Sequence, residues 1–168
     1  GFKSLHTGNL PDSAIENGSE YFAATTYTGN GTSQSIVNSG GFQPDFVWLK
    51  GRSGATAHAL QDTIRGTSKY LITNSTNGEG TLTNLITSFN SNGVSLGDNA
   101  NTNANAATYV GWQWKAGGAA VTNTAGSITS QVSASPTAGF SVVTYTGNGV
   151  NATVGHGLGA APKMVIVK

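Results

Sequence analysis

Cysteine is absent from the 168 residues, so disulfides and thiolate metal sites are excluded while the redox compartment stays open. Charge is scarce as well: Asp, Glu, Lys and Arg make up 9% of the chain, against a usual ~25%. The formal net charge is +1, and the basic residues, Lys50, Arg52, Arg65, Lys69 and Lys115 among them, are dispersed. No electrostatic footprint for nucleic acid or an anionic membrane surface is present, and neither partner is expected. No apolar run approaches the ~18 residues of a spanning helix, and the N-terminus lacks the basic-then-apolar order of a signal peptide. A sustained 3.6-residue apolar period is missing too, which leaves little room for long helices.

What fills the chain instead is Gly, Ser, Thr and Asn, together roughly half of the residues. Solubility therefore rests on hydroxyls and amides. Apolar residues are nevertheless spaced throughout, so the composition is that of a folded domain and not of a disordered tract. The Asn-x-Ser/Thr sequons at Asn17, Asn30, Asn74 and Asn151 are no more than this composition produces by chance, and they carry no weight as glycosylation sites.

The apolar residues alternate with period two and stop at turn signals. Strands are expected over Tyr21–Tyr27, Ser35–Asn38, Asp45–Lys50, Ala57–Ile64, Tyr70–Thr73, Leu82–Phe89, Thr108–Lys115, Ser127–Ser133 and Gly139–Tyr145. The Ala55–Ile64 stretch has helical propensity but is bracketed by Gly54 and Gly66, and it reads as strand. Five Asn-Gly pairs read as turns, and Gly29-Asn30-Gly31 is expected to close a hairpin between the first two strands. Short strands at this spacing predict an all-β fold, an antiparallel β-sandwich of jelly-roll or concanavalin-like type.

The chain also repeats itself. Tyr21–Lys50 overlays Gly139–Lys168 without a gap, Thr26-Tyr27-Thr28-Gly29-Asn30-Gly31 falling on Thr144-Tyr145-Thr146-Gly147-Asn148-Gly149. Gly41, Pro44, Val47 and Lys50 fall on Gly159, Pro162, Val165 and Lys168. An offset of roughly 118 residues is domain-sized and far longer than a solenoid unit. The expected organisation is a linker or N-terminal arm over 1–17 and a β-sandwich repeat over 18–135. Residues 136–168 are then a partial second repeat, or else the closing strands of the first.

Three features bear on chemistry. Asp98, Asn99, Asn101, Asn103 and Asn105 place oxygens at alternating positions as calcium loops do, but one charge and no closing Glu make a solvated surface loop the better reading, so no metal is expected. His6, His58 and His156 have no ligand spacing to one another and sit in no nucleophile elbow, so neither catalytic residues nor a cofactor are expected. Position 156 corresponds to Asn38 in the first copy, a swap that suits a side chain bonding the backbone of a turn. Trp48, Trp112 and Trp114 are the candidate glycan-stacking residues. Trp112 and Trp114 share a strand face with Val110 and Trp48 alternates with Val47 and Leu49, and a core role competes with a platform.

Several longer motifs carry a resemblance. Tyr27–Gly31, Gly41–Lys50, Arg65–Leu71, Leu85–Gly97, Tyr109–Gly118 and Gly139–Lys168 are similar to an uncharacterised β-rich repeat domain of long virion proteins in marine phages, cyanophages included. Gly1-Phe2-Lys3-Ser4-Leu5 with Asn9-Leu10-Pro11 resembles the connector that often follows a concanavalin-like or SPRY-like sandwich in such proteins. One departure is Gln113, where relatives often carry Cys between the two tryptophans. The resemblance implies a non-enzymatic structural or adhesive component of the virion, such as a tail fibre, appendage or capsid decoration. It also implies other virion proteins as partners and homo-oligomers, trimers by preference. A carbohydrate-binding module that attaches the virion to host surface glycans is the alternative.

Overall fold

The structure, a computed structural model, describes residues 15–168. Most of the expected arm, together with His6, lies outside the described residues. Asn17 caps a short 3-10 turn over Gly18–Glu20 by accepting from the Ser19 N–H. The strands that follow are β1 (Phe22–Thr28), β2 (Gln34–Val37), β3 (Phe46–Gly51), β4 (Ala59–Asp62), β5 (Lys69–Ile72), β6 (Gly80–Thr81), β7 (Ile86–Asn90) and β8 (Gly93–Leu96). A one-turn helix α1 (Ala100–Asn103) then leads to β9 (Thr108–Trp114), β10 (Val121–Asn123), β11 (Ser130–Ser135) and β12 (Phe140–Tyr145). Among the described residues no helix is long and apolar enough to cross a membrane.

All strand pairs are antiparallel. A six-stranded sheet runs β1-β9-β3-β4-β5-β6, and two three-stranded sheets run β2-β8-β7 and β10-β11-β12. Alternation explains the core: Val47 and Leu49 of β3 and Ala59 of β4 meet Ile36, Ile86, Val94 and Leu96 of the β2-β8-β7 sheet, with Tyr27 and Phe89 packed at the margin. The fold is thus all-β, and its two main sheets share one apolar layer as in a sandwich. The segments expected at 45–50, 57–64, 70–73, 108–115 and 139–145 appear as β3, β4, β5, β9 and β12. The expected strand over 82–89 begins only at Ile86, because Leu82 donates to the Ser68 carbonyl and Asn84 accepts from Asn99, outside the ladder.

The hairpin expected at Gly29-Asn30-Gly31 does not form. β1 pairs with β9 along its whole length, from Phe22↔Trp114 to Thr28↔Thr108, and β2 pairs with β8 in the other sheet. The turn chemistry is real, since Gly31 has φ +72°, but long-range contacts choose where the turn leads. The Gly29 N–H donates to Ala107, and the Gly31 N–H donates to the Asn103 carbonyl. A side chain at Gly29 would place its Cβ 2.2 Å from the Ala104 carbonyl oxygen. Asn92-Gly93 does serve a hairpin, joining β7 to β8 with Asn90 opposite Gly93.

The Asn-rich tract is likewise not the surface loop that its composition suggests. It contains α1, and Thr102 and Asn103 are fully buried. Its oxygens are occupied by N–H donors from several segments. Asn99 accepts from Asn101 N, Asn101 from Ala57 N, Asn103 from Asn30 N, and Asp98 from the Asn84 amide. Beside it, Tyr27 and Tyr109 stack at 5.2 Å, and Tyr27 Oη donates to the Thr102 carbonyl.

Burial, with Tyr109 adding to it, raises the Tyr27 phenol well above its usual pKa of 10.0. The unfolded chain ionises near the ordinary value while the folded chain holds the proton. Stability from the neutral phenol is therefore complete below about pH 10 and is lost as pH rises beyond it. Thermal unfolding from pH 8 to 12 should show a fall beginning near pH 10, and Tyr27→Phe should flatten that fall while lowering stability at pH 8. An equally steep alkaline limb in the variant would contradict this origin.

Residues 139–168 follow the backbone of Tyr21–Lys50 only in places. β12 stands where β1 stands in the overlay, and Gly149 (φ +75°) and Gly159 (φ +72°) repeat the backbone of Gly31 (φ +72°) and Gly41 (φ +64°). After Gly149, however, only Val154 makes bridges, to Gly126 and Ile128. The apolar run at 164–167, which overlays β3, belongs to no strand, because no described segment supplies the two neighbours that β3 has in β9 and β4.

Candidate functional site

The six-stranded sheet has one face sealed by the core and an outer face of opposite parity. In β9 the inward residues are Tyr109, Gly111 and Gln113, so Trp112 and Trp114 turn outward, and in β3 the inward Val47 and Leu49 leave Phe46 and Trp48 outward. Cross-strand register then aligns them in rows. Phe22, Trp114 and Phe46 lie side by side on β1, β9 and β3, and Ala24, Trp112 and Trp48 form the next row. The three candidate tryptophans thus meet on a single face, half-buried and outside the main core.

The rings form two groups. Trp114 contacts Phe22 at 4.9 Å and Phe46 at 5.3 Å, and Phe140 of β12 completes this group, stacked on Trp114 at 5.8 Å with an interplanar angle of 15° and edge-on to Phe46 at 5.6 Å. In the second group Trp48 meets Trp112 at 5.8 Å and His58 at 5.9 Å. Trp48 Nε1 and His58 Nδ1 are buried atoms without a hydrogen-bond partner. Phe22, Phe46 and Phe140 were not singled out from sequence, and His58 was weighed there only for catalysis or metal binding. The signal for Phe46 was its two-residue spacing from Trp48; for Phe140 it was the overlay on Phe22.

A polar latch holds β11 and β12 against this face. Asp45, 2% exposed, accepts from the N–H groups of Ala116 (2.8 Å) and Gly118 (3.2 Å) and from the Thr63 hydroxyl (3.3 Å). The intervening Gly117 N–H donates to Ser133 Oγ of β11, which in turn donates to the Gly118 carbonyl. The carboxylate thereby fixes the loop after β9, and the loop fixes the following sheet.

His156 Nδ1 accepts from the Leu158 N–H, and its counterpart Asn38 accepts from Phe42 N–H, so both hold the backbone of the turn that follows. Gln113 lies buried between the sheets, its Oε1 accepting from the Asn38 amide.

No curated protein matches the chain, and no solved structure does. From the turn before β1 to the apolar tail, over residues 17–168, the chain matches the model of a family described as a domain of unknown function (DUF7483), and it belongs to that family.

Proposed function

We propose that this domain is a non-enzymatic structural module, strung in tandem with further copies of itself in a phage virion protein such as a tail fibre, appendage or capsid decoration. It acts through assembly and surface presentation. The observation that carries the reading is the seat of Phe140: the first strand of the second copy places its ring on Trp114 and Phe46 of the first. The aromatic face is then a coupling surface that sets the angle between successive units. The virion setting comes from the resemblance, and with it a homotrimer as the preferred assembly and other virion proteins as neighbours. The scarcity of charge suits contacts that depend little on salt.

The coupling is tested by Phe140→Ser. Two ring contacts of about 0.5–1.5 kcal/mol each are lost, so the open population of residues 136–168 should rise about fivefold or more, and limited proteolysis there should accelerate in step. Melting of the remainder should move little, because the core between the two main sheets is untouched. Unchanged cleavage would remove the coupling role.

A second reading, a carbohydrate-binding module for host surface glycans, is favoured by the half-buried Trp48–Trp112 pair on the outer sheet face, aromatic surface of the kind on which a sugar ring stacks. Binding of the protein to arrayed host glycans should then be lost in Trp112→Ala. No binding by the unmodified protein would set this reading aside.

A further inference from the structure

We propose that residues 164–168 are a β-strand awaiting a partner of one kind, a strand with the pattern of β9 contributed by another copy of the repeat. Met164, Val165, Ile166 and Val167 are 69–75% exposed, whereas Val47 and Leu49, the counterparts of Val165 and Val167, are 0% and 3% exposed. Four consecutive apolar side chains in water are a docking surface or an aggregation hazard. What holds the tail is Lys168 Nζ, which donates to the carbonyls of Ser75 and Asn77 and leaves the apolar residues uncovered.

The first copy shows what covers such a strand. β9 lies between β1 and β3 and pairs with both, over seven positions with β1 and six with β3, whereas β4 pairs with β3 over four. Opposite the apolar residues of β3 the core-facing side chains of β9 are small or amide, Gly111 opposite Leu49 and Gln113 opposite Val47, with Tyr109 inward beside Gly51, and tryptophans face outward. In the second copy β12 takes the place of β1, with matching glycine backbone angles after it. β12 turns Phe140 and the buried Val142 toward the first copy and leaves Tyr145, the counterpart of the core-packed Tyr27, 48% exposed. One strand of the β9 type would satisfy β12 and the tail together. A strand chosen only for hydrophobicity would satisfy neither register.

The inference rests on residues 139–168 being the opening of a second unit; the Phe140→Ser measurement tests that reading without any partner, so the two can fail separately. The direct test adds a synthetic peptide with the sequence of residues 106–116 to the full chain and follows amide hydrogen exchange. Exchange at 140–145 and 164–168 should slow at least tenfold. A peptide with proline in place of Trp112, which removes a ladder donor, should give no protection, and Val165→Lys in the protein should abolish the effect of the native peptide. Three results would overturn the proposal: no protection at millimolar peptide, equal protection by the proline peptide, or a tail already protected without peptide in a concentration-dependent way.

Discussion

Asn103→Ala should lower the stability of the domain by about 3–5 kcal/mol, the largest loss expected from a single uncharged side chain here. Asn103 is 0% exposed and fills all four of its hydrogen-bonding positions. Its Oδ1 accepts from the Asn30 N–H and the Gln34 amide, and its Nδ2 donates to the Thr32 and Gly97 carbonyls. Those partners belong to the β1–β2 connection, the first residue of β2 and the residue after β8, so this one amide ties the chain between the two sheets to α1. Truncation orphans several groups at once, and the melting temperature should fall by roughly 10 °C for a chain of this size. Asn105→Ala, at an exposed position in the same tract, should stay within about 0.5 kcal/mol. Similar losses at the two positions would mean that the hub does not act as described.

Arg65→Ala should cost about 3 kcal/mol or more, because it strands a buried carboxylate. Asp62 at the end of β4 has a side chain 2% exposed, and Arg65 is 13% exposed. The guanidinium donates from Nε at 2.7 Å and from a terminal nitrogen to Asp62 Oδ2, while the Arg65 N–H donates to Oδ1 at 2.9 Å. Glu79 lies 3.8 Å from the guanidinium and 3.6 Å from Lys69, an outer and more exposed part of the same network. The double variant Asp62→Leu with Arg65→Met should recover much of the loss, since it removes the stranded charge together with its partner. If the double variant were as unstable as the sum of the two single ones, the pair would not be the reason for the loss. The structure thereby gives a reason for the Arg65–Leu71 motif that the sequence displays without explanation.

The strands themselves were legible from alternation, because a period of two records which side of a sheet each residue meets. β3 and β9 are the clearest cases, with buried and half-buried residues in strict succession. Pairing was not legible. Asn30-Gly31 carries a hairpin signature, yet β1 finds β9 eighty or more residues away, because local turn chemistry states how the chain bends and not which edge it then meets. The Asn-rich tract misled for a related reason: an amide has no preference for surface or interior until its partners are known. Among the tryptophans, sequence placed Trp112 and Trp114 on one strand face, but only cross-strand register brought Trp48 beside Trp112 and Phe140 onto Trp114.

By itself the sequence determined the all-β class, most of the strand positions and the overlay of Tyr21–Lys50 on Gly139–Lys168; the short strands β6 and β10 and the return strand β8 were not among those expected. What it determined depends on neighbours within a few residues or on direct comparison of two segments. The tertiary structure alone decided which strands pair, that the polar composition is spent on buried amides such as Asn38, Gln61, Asn103 and Gln113, and that the aromatic face is met by Phe140 of β12. Hydrogen bonds and ring contacts of this kind join residues far apart in the chain, and their strength depends on what surrounds them once water is excluded, a quantity that no local pattern of residues contains.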